Sequence, residues 1–411
     1  MERPTPDTLK VKREITSFQG NYSGEKTFSG PTDVSVSEDG YFFISDKNNH
    51  RILKLDSNLN YVMEFTKPLD STFDQAQDFL PDKITVDTAG RVYCVATNVN
   101  KGLIKYEADG EFSGFVGATK VVYNWTDYVW KKLATKEQRA QLESFVPTEY
   151  SNLCMDEEGF LYVCTVNVSA ADLRSGAAEP VRRLNLMGND ILIRNGNFKV
   201  IGDLYWDEGG GYEGPSKFTD VASLENNIYT CLDKTRGRLF TYDSQGRLLY
   251  AFGGNGNMDG YFRRPVALEH MGRDLLVLDE QDKSITIFTP TEFGSLIFQA
   301  IDEFQQGEYD KSGETWQKVL DMNGNYDLAY IGIGRSLLRQ DRYKEAMEYF
   351  KLKLDIHNYS NAFKQYRKEW VEEHIGWIIL VIFLVLCVPL MIGRLKRIKF
   401  EIDYADIFRG Q

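Results

Sequence analysis

The chain has few histidines, the residues that most often bind transition metals. It contains four histidines among 411 residues. His50 falls in a repeated motif, and His357 and His374 lie beyond the repeats, which leaves His270 alone. Because a zinc site uses three or four close ligands, zinc chemistry is not expected. No metal and no other cofactor is predicted.

Cysteine is also scarce, and its placement argues against disulfides. Three of the five cysteines lie in apolar segments that resemble one another: Cys94 in RVYCVAT, Cys164 in LYVCTVN and Cys231 in IYTCLD. A thiol at the same place in successive segments behaves as a small core residue rather than as part of a disulfide framework.

Familiar catalytic signatures are missing. The sequence has no Gly-x-Ser-x-Gly elbow, Walker loop or closely spaced cysteine pair. The glycine-rich string GGNGNMDG has no following helix whose N-terminus could hold a phosphate. We therefore expect the chain not to be an enzyme.

Basic residues are outnumbered by acidic ones, 48 to 60, which gives a net charge of −12. No basic stripe compensates for this balance. Nucleic acid is therefore not expected as a partner, and neither is anionic lipid for the main body of the chain.

One long apolar run lies near the C-terminus. Residues 375–393 read IGWIILVIFLVLCVPLMIG and carry no charge. At about 1.5 Å per residue, a helix of this length spans roughly 28 Å, close to the hydrocarbon core of about 30 Å. The run predicts a single transmembrane helix.

The residues that flank this run predict its orientation. Arg394, Lys396, Arg397 and Lys399 follow it at once, and the positive-inside rule places the basic then mixed tail of residues 394–411 in the cytoplasm. The bulk of the chain would then lie outside the cell membrane. The first twenty residues contain no apolar core of a signal peptide. Two arrangements stay open: a leader that was removed or is not included in this chain, which we expect, or a tail anchor with the bulk in the cytosol.

Residues 21–290 repeat one pattern five times. Each unit has an apolar alternating run, an acidic or glycine turn, a β-rich run and a third run that ends in Asp or Glu. The units begin near Pro31, Pro81, Tyr150, Phe218 and Arg264. Small antiparallel sheets bury their faces only against neighbouring sheets, so these units predict a β-propeller.

Two strings in these units resemble NHL-repeat propellers: DKNNHRI at residues 46–52 and FGGNGNMDGYFRRP at residues 252–265. Members of that family commonly have six blades, so the resemblance leaves five or six blades open. Residues 1–20, with the run LKVKREITSF, are expected to add an outer strand to the last blade and close the ring. Residues 124–146 are expected to form a helical insertion.

A second repeat occupies residues 291–374. Thirty-four residues separate equivalent positions: Ala300 from Gly334, Ser312 from Ala346, and Trp316 from Phe350. This period, with small residues where helices would meet, resembles tetratricopeptide repeats. The string NAFKQYRKEWVEEH is expected to form a capping helix that continues into the membrane helix, since no Pro or Gly intervenes.

Aromatic side chains in two irregular segments form the candidate ligand or partner surface: Tyr123, Trp125, Tyr128, Trp130, Tyr205, Trp206 and Tyr212. With nearby Asp, Asn and Arg they could bind glycans or peptides on one propeller rim. The alternative is that these rings pack onto the blades.

Three aspartates recur at the end of the second run of their units: Asp46, Asp233 and Asp279. Convergent carboxylates would suit calcium. The favoured interpretation is that each aspartate holds a turn between strands, with Arg51 pairing with Asp46 and Arg238 pairing with Asp233.

Together these features predict a mainly β fold with α: an NHL-like β-propeller of five or six blades, a small α-helical tetratricopeptide-like domain and one transmembrane helix. The arrangement resembles single-pass NHL-repeat proteins of Gram-positive bacteria encoded near carbohydrate ABC transporters, which implies transporter or membrane subunits as partners. We expect a non-enzymatic, membrane-anchored scaffold or accessory protein that uses its propeller rim and helical groove for protein–protein interaction. A tethered, calcium-dependent propeller hydrolase similar to lactonases and a surface receptor for glycans or peptides stay open as alternatives.

Overall fold

The computed structural model describes residues 2–5, 8–11, 13–117, 149–166, 168–196, 198–204 and 214–409. The chain forms two compact units, Met1–Pro290 and Thr291–Gln411. The first unit is built mainly from strands and the second from helices.

Five antiparallel sheets follow one another along the first unit. Blade 1 has β3 (Pro31–Val36), β4 (Phe42–Asp46), β5 (Arg51–Leu55) and β6 (Tyr61–Phe65). Blade 2 has β7 (Pro81–Val86), β8 (Val92–Ala96), β9 (Leu103–Tyr106) and β10 (Phe112–Val116). Blade 3 has β11 (Asn152–Met155), β12 (Leu161–Cys164) and β13 (Val181–Leu184), with helix α1 (Ala170–Ser175) before β13.

The last two blades complete the propeller. Blade 4 has β14 (Phe218–Leu224), β15 (Ile228–Asp233), β16 (Arg238–Tyr242) and β17 (Leu248–Gly253), and blade 5 has β18 (Pro265–Met271), β19 (Asp274–Asp279) and β20 (Ser284–Phe288). Short 3-10 turns occupy Lys47–Asn49 and Glu225–Asn227. The predicted propeller is confirmed, and it has five blades.

The turn between the first two strands of a blade explains why glycine recurs there. Gly40, Gly90 and Gly159 have φ angles of 80°, 78° and 82°, a left-handed conformation that side chains disfavour. Each donates its backbone N–H to the carbonyl oxygen three residues earlier. The repeated acidic-glycine turns in the sequence therefore mark real hairpins.

The core lies between blades rather than within them. Phe43 of blade 1 packs with Ile84 and Cys94 of blade 2. Cys164 of blade 3 packs with Cys231 of blade 4. These three thiols are buried and free, as the sequence predicted. Burial of their apolar surroundings stabilises the contacts of blade 1 with blade 2 and of blade 3 with blade 4.

The N-terminal segment is placed differently from the prediction. Strands β1 (Glu2–Thr5) and β2 (Thr8–Lys10) pair with each other, and the described part of blade 5 holds only its own three strands. Phe18 instead packs against Ile44, Leu53 and Leu55 on the face of blade 1 that points away from blade 2. The physical reason is apolar packing: Phe18 contacts the rings of Tyr22 and Phe28, and together they cover the apolar residues on this face of blade 1.

Blade 5 and blade 1 face each other without a shared buried core among the described residues. Val34 and Val36 of blade 1 are 58% and 56% exposed, and Leu278 of blade 5 is 41% exposed. An aliphatic surface therefore remains open on both sides of this junction.

The second unit consists of α2 (Glu292–Gln305), α3 (Tyr309–Met322), α4 (Asp327–Arg339), α5 (Tyr343–Leu352) and α6 (Ile356–Arg409). Each helix packs on the next along the chain. Small residues lie buried where the helices meet, as at Ala300, Ser312 and Ala346. The Ser312 hydroxyl donates to the Ala300 carbonyl oxygen at 2.8 Å, which joins α3 to α2.

Helix α6 is 54 residues long and runs without a break through the apolar sequence. Its first turns pack on α5, and Ala362 is fully buried. Beyond them, the apolar stretch has no buried residues, and α6 is the one described helix whose length and composition suit a membrane span. The capping helix and the predicted membrane helix are therefore one continuous element.

Candidate functional site

The inner strands of all five blades line one cavity of about 580 Å³. In blades 1, 2, 4 and 5 the pairing of the inner strand shifts in register after its first residue. The first residue paired after the shift is Asp33 in blade 1, Lys83 in blade 2, Asp220 in blade 4 and Ala267 in blade 5. In blade 3 the matching residue is Asn152, which opens β11. The repeat therefore presents one equivalent position per blade to the same space, and four of the five residues there are polar.

Two of these residues join neighbouring blades. Asp33 Oδ2 accepts the backbone N–H of Ile84 in blade 2 at 2.8 Å. Asp220 Oδ2 accepts the backbone N–H of Leu268 in blade 5 at 2.7 Å. Asp220 Oδ1 also accepts the N–H of Val221 at 2.7 Å. Each aspartate thus uses at least one oxygen to hold the inner strand of the following blade.

The other two polar residues at this position offer donors. The Asn152 side chain is nearly buried, at 5% exposure, and its Oδ1 accepts the N–H of Leu153 at 2.8 Å. Its amide Nδ2 and the Lys83 ammonium form no hydrogen bond or ion pair with any residue in the described ranges. Both groups therefore face the cavity with donor capacity unused.

Burial shapes the protonation of the acids. Burial raises the pKa of Asp220 to about 7. The hydrogen bonds from the Leu268 and Val221 N–H groups and the charge of Lys83 act in the opposite direction and lower this pKa. Burial also raises the pKa of Asp33 above its usual range. Glu269 is an exposed residue, and the partial desolvation of its carboxyl group raises its pKa. The cavity therefore holds two carboxyl groups whose charged form burial disfavours, Asp33 and Asp220, beside one ammonium group.

A thiol and a hydroxyl complete the polar wall. Burial raises the pKa of Cys154 well above its usual value, so this thiol stays protonated. The Ser223 hydroxyl is buried and has no partner within the described part of the chain. The aliphatic part of the lining comes from blades 1 and 5: Val34, Val36, Leu276, Leu278 and Ile285. The cavity thus has both charged and apolar lining, and Glu269 lies directly across the strands from Leu276.

The aromatic residues proposed from the sequence as a ligand surface lie outside the described residues. They are Tyr123, Trp125, Tyr128, Trp130, Tyr205, Trp206 and Tyr212. The helical insertion predicted for residues 124–146 also lies outside the described ranges. The basic residues used for orientation are exposed on α6: Arg394, Lys396, Arg397 and Lys399.

The recurring aspartates hold turns rather than converging on one point. Asp46 is fully buried, and its Oδ2 accepts from Arg51 Nε at 2.9 Å, as expected. Asp279 accepts four backbone N–H groups, those of Arg263, Arg264, Gln281 and Asp282. Within the described residues, no three His, Cys, Asp or Glu side chains are grouped to hold a metal ion.

The expected pairing of Asp233 with Arg238 is wrong. Asp233 accepts from the Ser216 hydroxyl at 2.6 Å and from the backbone N–H groups of Lys217 and Thr235 at 2.9 Å. Because these groups occupy the carboxylate, the Arg238 guanidinium bonds Asp203 instead, at 2.6 Å.

Sequence reasoning missed the cavity. Its signal was nevertheless present, since aligning the five units places Asp33, Lys83, Asn152 and Asp220 at one position among apolar neighbours. A polar residue repeated inside an apolar inner strand indicates a lined channel rather than a core. Metal and catalytic motifs are recognised by short spacings along the chain. These residues lie far apart in sequence, and the arrangement of the blades brings them together.

Comparison with known proteins supports the fold. The family model described as NHL repeat matches residues 28–55. No curated protein matches this chain. Among solved structures, a streptogramin B lyase is 13% identical with a TM-score of 0.36, covering 64% of this chain and 70% of that one.

Two further solved structures have the same degree of similarity. A catalytically inactive virginiamycin B lyase from Staphylococcus aureus, with quinupristin, is 14% identical with a TM-score of 0.39 and covers 66% of this chain and 69% of its own. A protein of unknown function from Bacteroides thetaiotaomicron is 12% identical with a TM-score of 0.40, covering 64% and 60%.

These comparisons correct one expectation. The conclusion that the chain is not an enzyme was wrong, because the similar solved structures include lyases. Missing sequence motifs do not exclude catalysis when residues from different blades meet in one channel. At these identities and TM-scores the similarity carries neither a fold nor a reaction over to this chain.

Proposed function

We propose that this chain is a single-pass membrane protein that holds partner proteins at the membrane, as a scaffold or accessory subunit. The observation that carries the proposal is the continuity of α6. One end of this helix belongs to the packed helical unit, through the buried Ala362, and the remainder is an exposed apolar segment of membrane-spanning length. A folded unit joined rigidly to its anchor suits a protein that presents surfaces to membrane neighbours.

The helical unit supplies the first binding surface. Its helices meet through small residues spaced 34 apart, at Ala300 and Gly334 and at Ser312 and Ala346. This supports a tetratricopeptide-like arrangement, in which stacked helix pairs bind a peptide or a partner helix. The partner class that fits best is another membrane subunit, including those of a carbohydrate transporter, as the resemblance to Gram-positive NHL-repeat proteins implies.

The placement relative to the membrane is part of the proposal. The four basic residues after the apolar run, Arg394, Lys396, Arg397 and Lys399, favour a cytoplasmic tail and an extracytoplasmic propeller. Protease treatment of intact cells, with different tags at the two ends, tests this directly. We expect loss of the N-terminal tag and survival of the C-terminal tag; protection of both would place the propeller in the cytosol.

Partner binding is tested by extraction in a mild detergent followed by affinity purification of the full chain. A tagged chain of residues 356–409 alone is the matched control, since it keeps the anchor and lacks the propeller and the helical repeats. We expect membrane proteins that co-purify with the full chain and not with the control. Recovery of the full chain as a lone monomer, across several detergents, would refute the scaffold role.

A further inference from the structure

We infer that the cavity lined by the inner strands binds a zwitterionic small molecule, an amino acid or short peptide with an aliphatic side chain. The inference is independent of the proposed membrane role. It depends on three features of the cavity: unused donors on one side, carboxyl groups on another, and an aliphatic wall between blades 1 and 5.

The donors come from neighbouring blades. Lys83 in blade 2 and Asn152 in blade 3 stand at the same position of the repeat, and neither the Lys83 ammonium nor the Asn152 amide nitrogen has an acceptor among the described residues. The Asn152 side chain is nearly buried, so the groups that its amide nitrogen can reach are those in the cavity. A ligand carboxylate would satisfy both donors at once, and a hydrogen bond to an ionised group is the stronger kind.

The acceptors come from the remaining blades. Asp33 and Asp220 each use an oxygen to hold the next blade. Among the described residues, Glu269 in blade 5 accepts one hydrogen bond, from the adjacent His270 N–H at 2.9 Å, so it is the freest of the three. A ligand ammonium beside these carboxyl groups would favour their ionised form. The buried Ser223 hydroxyl supplies one more unused polar group.

The apolar wall indicates what else the ligand carries. Val34, Val36 and Leu278 remain exposed although they face one another across the junction of blades 1 and 5. An aliphatic side chain placed there would remove this surface from water, at about 25 cal/mol per Å². The volume of about 580 Å³ lies in the range that holds small ligands.

A simpler interpretation is that Lys83 only balances the charge of Asp33 and Asp220. This interpretation accounts for the lysine, but it does not account for the polar Asn152 amide and Ser223 hydroxyl or for the exposed aliphatic residues that line the same cavity. It also makes a different prediction, since a lysine that only balances charge would not make binding depend on a ligand carboxylate.

The test measures binding to the purified full chain by isothermal titration calorimetry. The probes are leucine and the dipeptide leucyl-leucine, each compared with an analogue that lacks the carboxylate (leucinamide, leucyl-leucinamide). For leucine, 4-methylpentanoate lacks the ammonium group. We expect at least one zwitterion to bind, with a Kd at least tenfold lower than that of either kind of analogue. No binding by either zwitterion, or equal binding of the amide, would overturn the inference.

Variants locate the site. Lys83→Met and Glu269→Gln should each weaken binding at least tenfold, the first chiefly for probes with a carboxylate and the second chiefly for probes with an ammonium group. Asp259→Asn, on an exposed loop, is the matched control and should bind as the parent chain does. If Lys83→Met does not fold, Lys83→Gln and Asn152→Ala test the same donors. Parent-like binding in folded Lys83 and Asn152 variants would overturn the inference.

Discussion

Asp33 in blade 1 and Asp220 in blade 4 make the same hydrogen bond, each to the backbone N–H of the residue that follows the equivalent position in the next blade. Within the described residues, the sheets of neighbouring blades are not joined by backbone ladders, so side-chain contacts help to set the spacing of their inner strands. Blades 2 and 3 carry Lys83 and Asn152 at the same position, and the Lys83 ammonium and the Asn152 amide nitrogen have no acceptor among the described residues. One repeat position therefore has two roles: all of its polar residues line the cavity, and in blades 1 and 4 the aspartate also holds the inner strand of the next blade.

Asp220→Ala should loosen the contact between blades 4 and 5. The change leaves the buried N–H of Leu268 without an acceptor, which costs about 1–3 kcal/mol. Hydrogen exchange of peptides from β18 measures this locally in the full chain, and faster exchange is expected there than in β7. Asp220→Asn keeps one acceptor oxygen and should have a smaller effect. Unchanged exchange at Leu268 in the alanine variant would contradict the proposed role.

Stability of the propeller should depend on pH through two opposing groups. The folded-state pKa of Asp220 is raised to about 7 from 3.8, so the native state binds more protons than the unfolded state between these values. Its contribution to stability is therefore lost as pH rises through 7. Burial lowers the pKa of His270 to about 4 from 6.5, so the native state binds fewer protons there and stability falls as pH drops below 6.5.

Single variants separate these two slopes. Thermal unfolding of Asp220→Asn from pH 4.5 to 8 should show a steeper gain in Tm between pH 4.5 and 6.5, since the opposing slope is removed. Each group contributes at most about 1.4 kcal/mol per pH unit. His270→Gln should show the reverse, with stability that declines as pH rises. Asp259→Asn should follow the parent chain, and overlapping curves for all three variants would contradict the assignment.

Much of the fold could be predicted because its signals are local. The repeated thiols Cys94, Cys164 and Cys231 lie in alternating apolar strands, and alternation specifies which face is buried. The 34-residue period places small residues at helix contacts for the same reason. The apolar run before Arg394 needs no tertiary context to be recognised.

The failures all involve partners distant in sequence. Arg238 bonds Asp203, 35 residues away in a segment outside the repeat pattern, because the nearer Asp233 is already occupied. Phe18 covers blade 1 through aromatic packing that has no strand periodicity. The cavity residues come from five separate strands. Sequence spacing predicts local structure, whereas contacts between residues distant in sequence depend on how the blades are arranged.

Arg51→Met should destabilise the propeller far more than Arg238→Met. Arg51 lies with the fully buried Asp46, and it also donates to the Tyr22 hydroxyl at 2.7 Å. Removing the arginine leaves the buried Asp46 carboxylate without its charged partner, although Ser29 and Asn49 still donate to it, and such a loss costs about 3–5 kcal/mol. The side chains of Arg238 and Asp203 are 34% and 28% exposed, and ion pairs that water reaches contribute about 0–1 kcal/mol. Thermal unfolding of the two variants side by side checks the difference, and equal shifts in Tm would contradict it.

Two glycines in the helical unit should respond to alanine with opposite sign. A Cβ at Gly334 of α4 would lie 2.7 Å from the ring of Phe350, which is fully buried and cannot move aside. We expect Gly334→Ala to cost about 1–2 kcal/mol, since overpacking of about 1–3 kcal/mol outweighs the gain in helix propensity. At Gly313 of α3 the nearest atom to a new Cβ is 3.7 Å away.

Gly313→Ala should therefore stabilise its helix by about 0.5–1 kcal/mol, because alanine loses less backbone entropy than glycine in a helix interior. Hydrogen exchange of peptides from α3 to α5 in the full chain measures both effects, with slower exchange expected for Gly313→Ala and faster exchange for Gly334→Ala. Slower exchange in both alanine variants would contradict the prediction, because it would mean that α4 and α5 are packed less closely at Gly334 and Phe350 than the structure shows.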